Sequence, residues 1–258
     1  MDKTQAIDFM MFSLLGVTCE ANGDLLIRAA INRAFRDAFS RVASLEEKTR
    51  TALTDEMLEA VKAYGMQCTD KCSDKQVFDC WHENLCSVMT NNGGESYGIA
   101  QKWVNMTLKY ILMIRAVLNN LDYRNDDFCN LDVLKAEDYF HIPVDGYVAE
   151  ALCRLGEEDE NDSRPMPLKK DADGSVVKLS LKVSEYANPY ESCIKSWSTW
   201  NADDYKLFRR KLDGRYDLNW EDRAWLLVAQ YREKIEGAKG KEAKKDLREE
   251  LCGKLEKI

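Results

Sequence analysis

Histidine is almost missing from this 258-residue chain, proline and glycine are scarce, and no long apolar run occurs. Four prolines and thirteen glycines amount to about 2% and 5%, against typical usage of roughly 5% and 7%. That shortage of turn-formers argues against a sandwich or barrel of many short strands. No stretch reaches the roughly 18 apolar residues of a membrane span. The start, Met1-Asp2-Lys3-Thr4-Gln5, lacks the basic-then-apolar layout of a secretion signal, so a cytoplasmic protein with no membrane partner is expected. Positive charge is also short: the net charge of −8 excludes a generically basic nucleic-acid coat but leaves room for a local basic site. With two histidines and no C-x-x-C pair, the cluster Cys68, Cys72, Cys80 and Cys86 lacks the usual zinc spacing, and reduced thiols are the better reading.

What the chain does have is apolar surface and helical periodicity. Hydrophobic residues make up 45% and charged ones 32%, enough for a core, so disorder is not the expectation. Residues 24–42 carry Leu25, Leu26, Ile31, Ala34, Phe35, Ala38, Phe39 and Val42 on one stripe, opposite Arg28, Arg33, Arg36 and Arg41. Asp24 is suited to cap that helix. Ser44-Leu45-Glu46-Glu47 reads as a capping box for the next one, and Thr54 or Asp55 reads as the start of another that Gly65 closes. A helix from Asp74 to about Met89 stops at Asn91-Asn92-Gly93-Gly94, and a long one runs from Ile99 to about Leu121. Residues 122–141 read as a polar connection, followed by a helix from about Asp145 to Leu155.

Residues 156–172 are too polar to pack and read as an exposed insertion. Asp171-Ala172-Asp173-Gly174 is suited to turn a small β-hairpin near 167–182. Helical patterning returns from Ile194, with a charged terminal helix around Leu247, Leu251 and Leu255. The expected fold is all-α and two-lobed. It divides into an N-terminal helical segment (1–75) packing with the C-terminal lobe, a core (76–156), an insertion (157–190) and C-terminal helices (191–258).

Two segments carry chemistry together. The first is Asn91-Asn92-Gly93-Gly94-Glu95-Ser96-Tyr97-Gly98, continuing Ile99-Ala100-Gln101-Lys102-Trp103. The second is His141-Ile142-Pro143-Val144-Asp145-Gly146-Tyr147-Val148, continuing to Arg154-Leu155-Gly156. Small residues at a hairpin tip let backbone N–H groups approach a DNA phosphate, and the following helix N-terminus adds a favourable dipole. A lysine further along that helix, partly desolvated, is a nucleophile for a sugar carbon. A carboxylate at a helix start behind a rigid proline is placed to take the lysine proton. Taken singly, each feature has a plain explanation: Lys102 as a surface lysine, Asp145 as an N-cap, Gly93-Gly94 as a helix stop, the tryptophans as core. Their order together sets them apart.

The pair resembles the helix-hairpin-helix superfamily of DNA glycosylases, with its glycine-rich turn, G-x-G-x-K-[ST]-A, and a later P-V-D-x-x-V followed by R-L-G. The 43 residues from Lys102 to Asp145 are nearer the archaeal 8-oxoguanine branch than the endonuclease III branch. Bacterial antiphage glycosylases acting on glucosylated hydroxymethylcytosine are a second comparison.

The resemblance implies Lys102 as nucleophile, Asp145 as its acid/base partner, and phosphate contacts from Gly94, Ser96, Gly98 and Ala100. Trp103, His141, Trp81 and Trp197 are the aromatic candidates to receive a flipped base. It implies an active site in the cleft between lobes, double-stranded DNA with a modified base as partner, a monomer, and accompanying AP lyase activity. The family's L-P-G-[VI]-G opening is absent, and so are the four cysteines that hold an iron–sulfur cluster in some relatives, so no metal or other cofactor is expected. Lys102, Lys109 and Arg115, with no acid between residues 98 and 115, are expected to give a locally positive docking surface. Two rivals remain: a non-catalytic helical DNA-binding or regulatory module that keeps the hairpin, and a monofunctional glycosylase using Asp145 and water.

Overall fold

The computed structural model describes residues 2–39, 45–65, 73–93, 95–121, 125–155, 166–170, 172–175, 193–212 and 214–258. These residues are mostly helical and contain no β-strand, which makes the fold all-α. The chain divides into two compact units, Met1–His141 and Ile142–Ile258. The boundary falls inside the core expected at 76–156. Among the described residues no helix is long and apolar enough to cross a membrane.

The first unit holds α1 (Lys3–Leu15), α2 (Gly23–Phe39), α3 (Glu47–Lys62), α4 (Asp74–Gly93), α5 (Tyr97–Asn120) and the single turn α6 (Asp126–Cys129). A 3₁₀ stretch follows at Asp132–Tyr139. Its centre is the packing of α2 on α5. Every residue of α5 from Tyr97 to Asn105 is buried. Such all-round burial belongs to a helix covered on every side. The stripe expected on α2 lies inside at Leu26, Ile31, Ala34, Ala38 and Phe39, whereas Leu25 is 49% exposed. The opposite face is solvated and paired: Arg28 bonds Asp55, Arg33 bonds Asp37, and Arg36 donates to the Leu14 carbonyl.

Several boundaries differ from expectation for identifiable reasons. Asn22 rather than Asp24 caps α2, its Oδ1 accepting from Leu25 N at 2.9 Å, while Asp24 pairs with Lys62 at 3.0 Å. No helix begins at Thr54 or Asp55, because α3 runs through both and buries Thr54; Ser44 of the expected capping box lies outside the described residues. Gly65 does stand just beyond α3, at φ +83, a conformation glycine adopts without Cβ strain. The start of α4 has its own capping box: Ser73 Oγ accepts from Gln76 N, and Gln76 Oε1 accepts from Ser73 N at 3.1 Å.

The second unit holds α7 (Gly146–Leu155), α8 (Ala202–Leu212), α9 (Leu218–Gly237) and α10 (Lys241–Leu255), with a 3₁₀ turn at Trp197–Thr199. α9 packs on both α7 and α10. The core holds Val148, Leu152, Trp200, Phe208, Val228, Tyr231, Ile235, Leu251 and Leu255. Leu168, in the first half of the hairpin expected near 167–182, makes an isolated antiparallel bridge with Ile194, joined by Lys169 N to Cys193 O and Lys195 N to Pro167 O. Residues 176–182 and most of the expected insertion lie outside the described residues.

Candidate active site

The helix–turn–helix that carries Lys102 is built by α4 and α5, with three residues between them. α4 continues through Asn91, Asn92 and Gly93 rather than stopping near Met89. Ser96 caps α5, its Oγ accepting from Ile99 N at 3.3 Å. Gly98 and Ala100 are not at an open tip: both are buried inside the first turn of α5, and Ala100 N bonds the Ser96 carbonyl at 3.1 Å. Of the four expected phosphate contacts, Ser96 is half-buried at the helix entrance, and Gly94 lies outside the described residues.

Lys102 stands about a turn and a half into α5 and is 8% exposed. The locally positive surface expected along α5 is therefore curtailed. Lys102 is inside, and Arg115 pairs with Glu137. Next to Lys102 in sequence runs a buried polar relay that periodicity alone did not single out. His82 Nε2 donates to Asn105 Oδ1 at 2.6 Å, Asn105 Nδ2 to Gln101 Oε1 at 3.0 Å, and Gln101 Nε2 to the Gly98 carbonyl at 2.8 Å. Cys86 Sγ lies 3.8 Å from the His82 ring nitrogens, and burial pushes its thiol well up, so it stays protonated. Buried polar groups are tolerated when bonded in this way. The signal in the sequence was three polar residues, Gln101, Lys102 and Asn105, within an apolar helix.

The four aromatic candidates separate. Trp103 is a core residue: it is 1% exposed, its indole donates to the Ile31 carbonyl at 3.0 Å, and Phe35 and Phe39 meet it edge-on. That packing on α2 leaves it no open face for a base. Trp81 is half-buried, donates to the Ala60 carbonyl at 3.1 Å and packs against Tyr64 and Phe78. His141 is 4% exposed; its Nε2 donates to Asp79 Oδ1 at 2.9 Å, and its ring centre lies 4.3 Å from that of His82. Phe78 touches both Trp81 and His141, so these two share one aromatic cluster in the first unit. Trp197 is half-buried in the 3₁₀ turn of the second unit.

Asp145 belongs to the second unit and Lys102 to the first. Asp145 is the N-cap of α7, its Oδ1 accepting from Tyr147 N at 2.8 Å and Val148 N at 3.1 Å. Its other oxygen, Oδ2, accepts from the Trp225 indole at 3.0 Å. The Trp225 ring lies 4.8 Å from that of Tyr147, and the Arg232 guanidinium sits over Tyr147 at 4.3 Å. Arg232 also donates to the Gly146 carbonyl at 2.8 Å and to Glu150 Oε2 at 2.6 Å. Glu150 is fully buried and accepts from Arg154 Nε at 2.9 Å. Arg154, the arginine of the R-L-G segment, therefore works as the buried partner of a carboxylate.

No family model matches this chain, and neither the curated proteins nor the solved structures include a match.

Among the described residues no group of three or more histidine, cysteine, aspartate or glutamate side chains is gathered as a metal site. Cys68 and Cys72 of the cysteine cluster lie outside those residues. Chemically, the chain offers a buried lysine on α5 and a doubly held, half-exposed carboxylate at the start of α7.

Proposed function

We propose that the protein is a DNA glycosylase with accompanying AP lyase activity, a monomeric cytoplasmic enzyme acting on double-stranded DNA. Its target is a damaged or modified base, either oxidised guanine or a hypermodified phage base such as glucosylated hydroxymethylcytosine. The observation that carries the reading is the ordered pair of segments. A lysine stands in the second helix of a helix–turn–helix, and an aspartate caps the helix after Pro143-Val144.

In the proposed reaction the Lys102 amine attacks the anomeric carbon of the flipped nucleotide. The bond to Nζ forms as the glycosidic C–N bond breaks, and that electron pair leaves with the base, which takes up a proton. Asp145 accepts the proton that the lysine loses. Opening of the sugar ring gives a Schiff base; loss of a C2′ proton then expels the 3′ phosphate and cuts the strand.

The half-exposure of Asp145 beside the burial of Lys102 favours one second reading, in which Asp145 activates water and Lys102 is structural. Borohydride trapping on a duplex carrying 8-oxoguanine, and on phage DNA carrying glucosylated hydroxymethylcytosine, separates the two. A covalent adduct that disappears in Lys102→Ala is the expected result. Free base without an adduct supports the water mechanism. No base released from either DNA overturns the glycosylase reading and leaves the DNA-binding module.

A further inference from the structure

We propose that Trp225 is a positioning residue for Asp145, a role that rests on the glycosylase reading above. An N-cap needs one carboxylate oxygen, and Oδ1 already accepts from two backbone N–H groups of α7. Those bonds fix one oxygen but leave the carboxylate plane to be set by whatever meets the other. Trp225 meets it from a different helix, α9, through the single polar atom of its side chain. With donors from two elements on its two oxygens, the carboxylate has a defined plane and a defined outward lone-pair direction.

The indole is rigid, with two side-chain torsions, and its surroundings fix it further. Tyr147 packs beside it, Arg232 lies over Tyr147, and Arg232 is anchored by Glu150 and by the Gly146 carbonyl. Glu150 is in turn held by Arg154 within the interior. The chain of support thus runs from a buried ion triad, through two aromatic rings, to one carboxylate oxygen.

Trp225→Phe removes the N–H and keeps an aromatic ring at the position, smaller than the indole. In single-turnover and steady-state assays of base release from the 8-oxoguanine duplex and the glucosylated phage DNA, kcat is expected to fall about 10- to 100-fold, with KM within about twofold. In an Asp145→Asn background the same change is expected to alter the residual rate by less than about twofold, because a residue acting through Asp145 has nothing left to act on.

A Trp225→Phe protein that releases base at the wild-type rate, or whose loss persists undiminished in Asp145→Asn, overturns the positioning role and leaves the glycosylase reading standing. A wild-type protein that releases no base from either DNA overturns both. The bond itself has a readout without substrate: the Trp225 indole N–H resonance is expected to shift and to exchange faster in Asp145→Ala. An unmoved resonance overturns the proposal whatever the activity.

Discussion

Replacing Glu150 by alanine removes the carboxylate that accepts from both Arg154 on α7 and Arg232 on α9. The Glu150 side chain is 0% exposed, that of Arg154 2% and that of Arg232 19%. Arg154 has no route to water without displacing core, whereas Arg232 can swing its head outward on its aliphatic stem. The cost therefore falls mainly on Arg154, and removing one partner of a buried pair costs about 3–5 kcal/mol. For a unit of this size that corresponds to a fall of roughly 10–20 °C in the melting transition.

Urea unfolding followed by far-ultraviolet circular dichroism measures it. At a slope of about 2 kcal/mol per molar, the midpoint of the transition carrying the second unit falls by roughly 2 M with little change in slope. Glu150→Leu combined with Arg154→Met should recover most of the loss, since apolar side chains of similar volume replace such pairs well. A loss under about 1 kcal/mol for Glu150→Ala would refute the reasoning, because Arg154 would then be hydrated and the triad would not anchor α7.

Trp103→Ala is expected to cost about 3–5 kcal/mol in urea unfolding, the range for deleting a large core aromatic; a change within about 1 kcal/mol would contradict its packing against α2. Asp145→Asn keeps an acceptor for the cap but sets its amide NH2 against the Trp225 indole N–H, so a stability loss of about 1 kcal/mol is expected, while base release falls about 100- to 10,000-fold to a residual rate; activity at the wild-type rate would remove Asp145 from the chemistry. Burial, with the Asp8 carboxylate nearby, pushes the Cys19 thiol up from 9.0 to about 12. The unfolded chain therefore loses this proton first, so the stability Cys19 carries is complete below pH 9 and is lost as pH rises towards 12. Urea midpoints at pH 8 and pH 10.5 should fall more steeply for wild type than for Cys19→Ser, and parallel slopes would count against the burial argument.

The fold was legible where apolar residues recur over several turns. α2, α4, α5 and α10 follow from that pattern, because a long period averages out single misplaced residues, whereas α8 and α9 lie in a stretch from Ile194 that read as helical without division. Punctuation was less reliable. Thr54-Asp55 carries a start signal in the middle of α3, where Met57, Leu58 and Val61 continue the buried face and tertiary packing overrides local preference. The connection at 122–141 contains α6 and a 3₁₀ stretch burying Val133, Leu134 and Ala136. Short elements of that kind have too few residues to show a period. Gly98 and Ala100 read as a hairpin tip from their small size, yet small size serves equally well inside a crowded helix start, and that is where they lie.

Asp145 illustrates how far a local signal reaches. Pro143-Val144-Asp145-Gly146 marks a helix start and a candidate base with the same four residues, so sequence spacing cannot separate capping from catalysis. Capping requires one oxygen and donors two and three residues away. The Trp225 indole on the other oxygen comes from 80 residues further along the chain, and nothing in the sequence near Asp145 announces it. A second donor on a half-exposed carboxylate adds little to helix stability, since water could satisfy that oxygen at small cost. Its effect is on direction: it holds the carboxylate plane still. A fold that needed only the cap could place any apolar side chain at position 225, so the indole N–H aimed at Oδ2 is the feature at this helix start that capping leaves unexplained.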